Sequence, residues 1–371
     1  MRKKLLAALL AATMLCMLTP TMVSAAPVDI TADFVDENFK SLVYWHIGKT
    51  APEPIYDTDA AGVNNLYVSY WEIKNLAGLE HFTNLRRLDC NNNQLTSLPV
   101  LPSGLTILVC DNNQLSALPA LPDSLRGVSC GNNKLTALPA LPSSLREFLC
   151  DDNQLTSLPA LPASLMGFAC KNNQLSELPA LPSSLYYLDC ENNQLTSLPG
   201  FPYSLEYLLC GKNQLTSLPT LRASLQSLYC SGNQLTSLPK LPSALTQLDC
   251  SNNQLTTINT TGLSLDELIC NNNNLPNKSA VVGFTGAWEP KGEYASFVFD
   301  PQNVPQTPEP TKPTTPPTTK PPTPPTTKPT TPPTTKPTQP TTPVKPTEPS
   351  CFAKIWAFIV KWIFFGWLWQ K

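Results

Sequence analysis

The chain has 371 residues, of which 14% are charged, and its formal net charge at pH 7 is −2. Forty residues are proline, and many of them lie between positions 301 and 349, so we expect the ordered part to end near residue 300. With this charge balance the sequence has no basic stripe for phosphates, which argues against nucleic-acid binding.

Residues 1–26 have the three parts of a secretory signal peptide. A basic start is followed by an apolar run over 5–18 and by small residues over 23–26. This order predicts export, with cleavage after Ala25 or Ala26. The alternative is a retained membrane helix, which the short apolar run and the cleavage site disfavour. Cys16 lies in the apolar run and would be removed with it.

Residues 27–62 precede any repeat and predict a small helical N-terminal cap. Apolar residues recur there at helical spacing, and an aspartate, Asp33 or Asp36, is placed to cap the helix start. The apolar residues are Val35, Phe39, Leu42, Val43 and Ile47. A cap is expected at this place because the first turn of a solenoid has no neighbour to cover its core.

Residues 63–275 carry an internal repeat with a period of 20 residues. A divergent first copy begins at Val63, and cysteine then recurs at one position in every copy. These cysteines are Cys90, Cys110, Cys130, Cys150, Cys170, Cys190, Cys210, Cys230, Cys250 and Cys270. A fixed period of this length predicts a repeat solenoid.

The copy at 184–203 shows how one turn should fold. Its centre, Leu188-Asp189-Cys190, alternates apolar, polar and apolar residues, which predicts a short strand with one buried face. Asn193 follows where the chain must turn, and its amide can satisfy backbone groups there. Pro199 and Pro202 exclude a helix from the second half. Stacked copies therefore predict a parallel β-sheet backed by extended, polyproline-like segments.

The skeleton S-L-x-x-L-x-C-x-N-N-Q-L-T-x-L-P-x-L-P-x resembles the leucine-rich repeat family over residues 63–275. Its LPxLP half and its period are similar to the short bacterial subclass, which includes secreted effectors. The regular cysteine and the preceding cap resemble surface leucine-rich repeat proteins of Gram-positive anaerobes. The resemblance implies a parallel-sheet solenoid whose outward strand face contacts a partner.

Three further segments complete the expected domain organisation. Residues 276–300 contain two apolar runs, VVGF and YASFVF, which predict a strand pair that caps the array. Residues 301–350 are rich in proline and threonine and predict a disordered spacer. Residues 351–371 are hydrophobic and tryptophan-rich, and they predict a helix that associates with a membrane. A short transmembrane anchor or a buried core helix are the alternatives.

The sequence favours no catalytic, metal or cofactor site. The ten repeat cysteines are interpreted as small buried hydrophobes, because in-register strands would hold their side chains parallel and too far apart for disulfides. The serine or threonine six residues after each of the nine cysteines from Cys90 to Cys250 is interpreted as a solvated rim rather than an ice- or glycan-binding array. The two histidines, His46 and His81, accompany no recognised catalytic motif, so we expect a protein that is not an enzyme.

Candidate ligand contacts come from outward strand positions, which vary between copies. Tyr187, Tyr207, Leu209 and Tyr229 lie in three consecutive copies and predict an exposed contact patch. Accumulation of tyrosine without a role is the alternative. The leading hypothesis is a monomeric, non-enzymatic binding module for a protein or glycan, displayed at the bacterial cell surface and attached to the membrane by its C-terminal segment. A structural wall-spacing protein without a ligand, or a released host-directed effector, are the alternatives.

Overall fold

The computed structural model describes residues 26–289 and 296–304, which belong to one compact unit. The predicted terminal helix lies outside these residues. So do all but the last residue of the predicted signal peptide and all but the first four residues of the predicted spacer.

The fold is a solenoid of about eleven turns around a parallel β-sheet, as the repeat predicts. Each turn contributes one short strand, and twelve strands form the sheet in the order β1 to β10, then β12 and β14. The strands are β1 (Asn65–Tyr67), β2 (Arg87–Asp89), β3 (Ile107–Val109), β4 (Gly127–Ser129), β5 (Glu147–Leu149), β6 (Gly167–Ala169), β7 (Tyr187–Asp189), β8 (Tyr207–Leu209), β9 (Ser227–Tyr229), β10 (Gln247–Asp249), β12 (Glu267–Ile269) and β14 (Phe297–Val298). A separate pair is formed by β11 (Ile258–Asn259) and β13 (Val281–Val282).

The strands pair in register, so residues twenty positions apart form columns inside the solenoid. Leu188 at the centre of β7 stands between Phe168 and Leu208. Leu185, Leu188, Cys190, Leu195 and Leu198 of this copy are buried, as the alternation predicts. The Phe148 and Phe168 rings stack, with centroids 6.0 Å apart. Apolar burial in these columns is the main stabilising contribution to each turn.

A buried asparagine ladder ties each turn to the preceding one. In the copy described above, the Asn193 amide nitrogen donates to the carbonyls of Cys170, Cys190 and Glu191 at 3.0, 3.2 and 3.1 Å. Its Oδ1 accepts from the backbone N–H of Leu175 at 3.0 Å. Equivalent contacts are made by Asn93, Asn113, Asn133, Asn153, Asn173, Asn213, Asn233, Asn253 and Asn273. The turn asparagine therefore has the role expected from its donor and acceptor groups.

Two further positions stabilise the turns between copies. The residue before each ladder asparagine has a left-handed backbone, with φ between 49° and 67°, where asparagine is tolerated better than most residues. Lys212 occupies this position in its copy with a φ of 52°. The serine before the first leucine of the copy also bonds backward: the Ser184 hydroxyl donates to the carbonyls of Ala163 and Leu165 at 2.8 and 2.6 Å. The sequence interpretation assigned no role to this serine.

The N-terminal cap contains α1 (Glu37–Ile47), α2 (Asp57–Ala61) and short 3₁₀ helices at Thr31–Asp33 and, in the first turn, Leu79–His81. Asp36, one of the two proposed caps, accepts from the backbone N–H groups of Asn38 and Phe39 at 3.0 and 3.1 Å. Val35 precedes the helix and is exposed, whereas Phe39, Leu42 and Val43 are buried. The expected helical cap is therefore present, and it extends the apolar core beyond the first turn.

The C-terminal cap differs from the predicted strand pair. The two apolar runs do form strands, β13 and β14, but they do not pair with each other. Strand β13 pairs with β11, where the proline pair of the repeat is replaced, and β14 extends the main sheet beside β12. Each run pairs with a strand at the open end of the array whose backbone N–H and C=O groups would otherwise lack partners. This arrangement satisfies more hydrogen-bonding groups than an isolated hairpin would. Gln302 then donates to the Cys270 carbonyl at 3.1 Å and ends the asparagine ladder.

Candidate functional site

The candidate site is the outer face of the sheet, formed by the first and third residue of each strand and by the residue after each cysteine. These side chains point away from the core because the central residue of the strand points into it. They differ from copy to copy, whereas the core leucines and ladder asparagines recur. The outer face is therefore the part of the solenoid where the sequence is free to encode recognition.

The four predicted contact residues lie next to one another on this face. Register pairs Tyr187 with Tyr207 across β7 and β8, and it pairs Leu209 with Tyr229 across β8 and β9. Their expected exposure is wrong for two of them. Tyr187 is 5% exposed and Leu209 is 1% exposed, whereas Tyr207 and Tyr229 are partly exposed.

The reason for the burial lies in the neighbouring strands. Parallel strands are about 4.8 Å apart, so outward side chains of adjacent turns cover one another where a large residue adjoins small ones. Tyr187 stands beside Gly167, and Ala169 stands beside Asp189. All three residues of β6 and of β7 are consequently buried. The alternation along one strand correctly predicts the direction in which each side chain points, but it does not predict how much of that side chain is exposed to solvent.

Tyr229 is held in place by a carboxylate two strands away. Its hydroxyl donates to Glu267 Oε2 at 3.1 Å. Burial raises the pKa of Glu267, and the Tyr229 hydrogen bond opposes that shift. Tyr229 therefore has a fixed orientation on the outer face, which lowers the entropic cost of a contact through its ring.

In the middle of the outer face, the charges of two acidic side chains act on a third. We call Asp151, Asp189 and Glu191 the acid cluster. Asp189 is 1% exposed, and its Oδ1 accepts from the Glu191 backbone N–H at 3.1 Å. Asp151 Oδ1 accepts from the Lys171 backbone N–H at 2.9 Å. Sequence reasoning missed this cluster, although Asp189 was assigned to the outward side of its strand.

Burial is the largest cause of the raised pKa of each carboxyl group in the acid cluster. The pKa of Asp151 rises to about 7, and that of Asp189 lies well above its usual value. The pKa of Glu191 also rises, and the charges of Lys212 and Lys171 oppose this shift. Desolvation thus outweighs attraction to the nearby lysines in this region.

The ten repeat cysteines are free and completely buried, with their side chains in the core column. Burial raises the pKa of each thiol, as for Cys190 and Cys210, because a thiolate would be desolvated. Cys150 Sγ lies 3.4 Å from the Ala169 carbonyl of the next turn. These positions support the interpretation of the cysteines as core packing.

The two histidines have structural partners in the cap region. His46 Nε2 accepts from the Tyr67 backbone N–H at 3.0 Å, and burial lowers its pKa. His81 Nε2 lies 2.8 Å from Asp33 Oδ2. Within 26–289 and 296–304, no group of three or more His, Cys, Asp or Glu side chains is arranged to hold a metal ion. Nor do these ranges contain a helix with the length and apolar character needed to cross a bilayer.

Other exposed aromatic residues were not singled out from the sequence. Trp45, Tyr67, Tyr70 and Trp71 are exposed in the cap and first turn. Tyr203 is exposed away from the outer face, with the Arg222 guanidinium 4.3 Å from its ring centroid. Trp45, Tyr67, Tyr70 and Trp71 lie where the repeat skeleton is absent or altered, whereas Tyr203 occupies a position that the skeleton leaves free to vary.

Comparison with known proteins identifies the repeat. The family model described as Leucine Rich repeats (2 copies) matches residues 83–123 and 223–264. No curated protein sequence matches the chain.

Solved structures share the fold. YopM from Yersinia enterocolitica WA-314 is 39% identical with a TM-score of 0.56, over 58% of this chain and 48% of YopM, so this chain spans about half the length of that protein. An internalin (inlF) from Listeria monocytogenes is 17% identical with a TM-score of 0.50, over 70% of this chain and 88% of that one. The functional domain of InlJ from Listeria monocytogenes, which includes a cysteine ladder, is 22% identical over 69% and 78% of the two chains, with a TM-score of only 0.45.

Proposed function

We propose that this chain, whose repeats match the Leucine Rich repeats model, is a leucine-rich repeat protein that acts as a non-enzymatic binding module and recognises a protein on its outer face. One observation carries the proposal: the core and ladder positions recur in each copy, whereas the outer-face residues of adjacent strands differ. A surface that varies on a constant, rigid support is suited to specific recognition.

Tyr207 and Tyr229 are the proposed anchor contacts. Both are partly exposed, and each lies next to a buried outer-face residue, Tyr187 or Leu209. An aromatic ring with a hydroxyl offers apolar area and a hydrogen bond together, which is typical of residues that dominate binding energy. Tyr187 and Leu209 lie beside the anchors on adjacent strands, and because they are buried they offer the ligand little contact area.

The test is affinity capture with the immobilised protein, followed by identification of what is retained. A variant with Tyr207→Ala and Tyr229→Ala is compared with the parent and with a Tyr203→Ala control, which removes an exposed tyrosine outside the outer face. We expect one protein ligand that the parent and the control retain and the double variant loses. Equal retention by all three would exclude the proposed contacts. A retained glycan instead of a protein would reject the ligand class, and no retention would favour the structural, wall-spacing alternative.

We further propose that the module is exported and displayed at a bacterial cell surface. The signal-like residues 1–26, the spacer 301–350 and the tryptophan-rich residues 351–371 support this in the sequence. The likeness to YopM supports placement in the short twenty-residue bacterial subclass. Fractionation of cells that express the chain with and without residues 351–371 tests the attachment. Release of both forms into the medium would favour a secreted effector.

A further inference from the structure

Four large aromatic side chains are exposed at the N-terminal end of the array. Trp45 lies near the end of α1, and Tyr67, Tyr70 and Trp71 lie in and directly after β1. Their exposed fractions are 73%, 51%, 74% and 53%. We call these four residues the aromatic patch. Since one aromatic side chain offers about 150–250 Å², the patch exposes roughly 400–600 Å². This area equals the largest apolar patches of ordinary monomers, which often have a function.

Contacts between the cap and the first turn bring the members of the patch together. The centroids of the Trp45 and His46 rings are 4.8 Å apart, and His46 Nε2 accepts from the Tyr67 backbone N–H at 3.0 Å. The guanidinium carbon of Arg87 lies 5.7 Å from the centroid of the Tyr67 ring. Trp45 and Tyr67 therefore adjoin the same histidine, and their positions are fixed before a ligand arrives, which lowers the entropic cost of binding.

Tyr70 and Trp71 occupy positions where the other copies have small or polar residues. The register between β1 and β2 aligns Tyr70 with Asn92 and Trp71 with the ladder residue Asn93. The Trp71 backbone N–H donates to Asn93 Oδ1 at 3.1 Å. Tyr70 has a φ of 68°, which is an outlier for a bulky side chain. Backbone strain of this kind is concentrated at sites of binding and catalysis, so the strained conformation that keeps the Tyr70 ring in solvent is a second observation that favours a contact surface.

The polar groups of the aromatic patch are hydrogen-bond donors. An indole has an N–H and no acceptor, and a phenol O–H can donate. Within residues 26–289 and 296–304, none of the four side chains makes a hydrogen bond. Asp89, which pairs with Tyr67 across β1 and β2, already accepts from the Ser69 hydroxyl at 2.6 Å and lies 3.5 Å from Arg87. The patch therefore suits a ligand with apolar faces and free acceptors but few donors.

We propose that the aromatic patch binds a proline-rich segment of a partner protein in the polyproline II conformation. Proline has no backbone N–H, and this helix has no internal hydrogen bonds, so its carbonyls are free acceptors between apolar rings. Segments of this kind dock on aromatic-lined surfaces in several unrelated domains. Sugars instead carry hydroxyl donors, for which the patch has few free acceptors. A second copy of this chain would need about 800 Å² per partner for a stable interface, which is more than the patch provides.

This site is separate from the anchor contacts Tyr207 and Tyr229 of the proposed function. Strands β1 and β8 are seven positions apart in the sheet, which corresponds to about 34 Å. A short peptide on the aromatic patch therefore does not reach Tyr207, and each site can be removed without the other.

The experiment is a fluorescence-anisotropy titration of the full chain with a labelled decaproline peptide, with a decapeptide of alternating glycine and serine as the comparison. The test variant carries Trp45→Ala and Tyr70→Asn. Asparagine is the residue of most other copies at the left-handed position of Tyr70, so the urea midpoint should not fall. We expect the test variant to bind decaproline about tenfold or more weakly, and a Tyr203→Ala control, which removes an exposed tyrosine elsewhere, to differ by less than about twofold.

A second variant separates the aromatic rings from their donor groups. Trp45→Phe combined with Tyr70→Phe keeps two apolar rings but removes the indole N–H and the phenol O–H. Its affinity for decaproline should fall by about threefold or more and stay above that of the test variant. An affinity equal to that of the parent would overturn the donor argument, and with it the choice of a proline-rich ligand.

Other occupants of the patch give distinguishable results. Equal binding of decaproline and the glycine–serine peptide, or equal weakening in the Tyr203→Ala control, would overturn the proposal. Chitohexaose that binds and requires Trp45 and Tyr70, without binding of decaproline, would reassign the patch to a glycan. A dimer in sedimentation equilibrium that the test variant lacks would reassign it to a second copy. The variant with Tyr207→Ala and Tyr229→Ala should bind decaproline like the parent, and a loss there would place the peptide on the anchor contacts instead.

Discussion

Replacing Asn193 by alanine tests how the asparagine ladder holds the turns together. Its three acceptor carbonyls each keep another donor after the change. Asn173 still donates to Cys170, Asn213 to Cys190, and the Asn172 backbone N–H to Glu191. The Leu175 N–H is the group left without a partner, because the Asn193 Oδ1 is the acceptor it has in the described structure.

The expected loss of stability follows because the three carbonyls have a second donor, whereas the Leu175 N–H has no second acceptor among the described residues. A buried donor without an acceptor costs about 1–3 kcal/mol. The three hydrogen bonds to carbonyls are also lost, but each carbonyl keeps another donor, so their loss adds only about 1 kcal/mol. Asn193→Ala should therefore lower the free energy of unfolding by about 2–4 kcal/mol. Gln194→Ala is the matched control, because that side chain is exposed in the adjacent position, and it should change stability by less than about 0.5 kcal/mol.

Urea unfolding followed by circular dichroism measures the global effect, and amide hydrogen exchange locates it. The Leu175 amide should exchange faster in the variant, whereas the Leu155 amide, which donates to Asn173 one turn earlier, should keep its protection. A global loss below about 1 kcal/mol would refute the reasoning. Unchanged protection of Leu175 would refute it as well.

Four further outcomes are expected. The ten repeat cysteines should resist a polar thiol reagent in the native protein and react after denaturation, as read by mass spectrometry of the cysteine peptides; rapid native labelling would contradict their burial. Gly78→Ala should lower the stability measured by thermal unfolding by about 3 kcal/mol or more, because the added Cβ would lie 2.6 Å from the Phe34 ring at a φ of 95°. Gly48→Ala is the control: its φ is 70°, open space surrounds it, and the loss should be about 1 kcal/mol. Similar losses in the two variants would show that backbone strain, and not the contact with Phe34, determines the cost. Lys212→Asn should raise the midpoint of urea unfolding and increase the free energy of unfolding by about 0.5 kcal/mol, because asparagine adopts the left-handed backbone region more readily than lysine. A lower midpoint would contradict this reasoning. The pKa of Asp151 is raised in the folded protein, so the stability associated with its protonated form is present below about pH 4 and is lost as the pH rises toward about 7. The free energy of unfolding of Asp151→Asn should therefore exceed that of the parent by a margin that grows over this pH range. A margin that does not change with pH would contradict this expectation.

The solenoid, its period and the inward residues of each turn are predictable from the repeat pattern alone. Leucine and cysteine alternate with polar residues over a strand, and the twenty-residue period repeats this pattern. Burial of Leu188 and Cys190, and the turn role of Asn193, follow from local alternation and hydrogen-bonding capacity alone. Such properties repeat in every copy, so one copy is enough to predict them.

Contacts between copies are visible only in the folded solenoid. Tyr187, predicted as an exposed contact, is buried because Gly167 adjoins it from a strand twenty residues earlier. The two C-terminal apolar runs joined different edges of the array instead of each other, since open backbone was available at both. The acid cluster around Asp189 exists only because two turns, separated by the turn that carries Lys171, place their outward side chains on the same face. Periodicity determines the direction of a side chain, but its accessibility and charge environment depend on the sizes and charges of neighbours that only the stacking brings together.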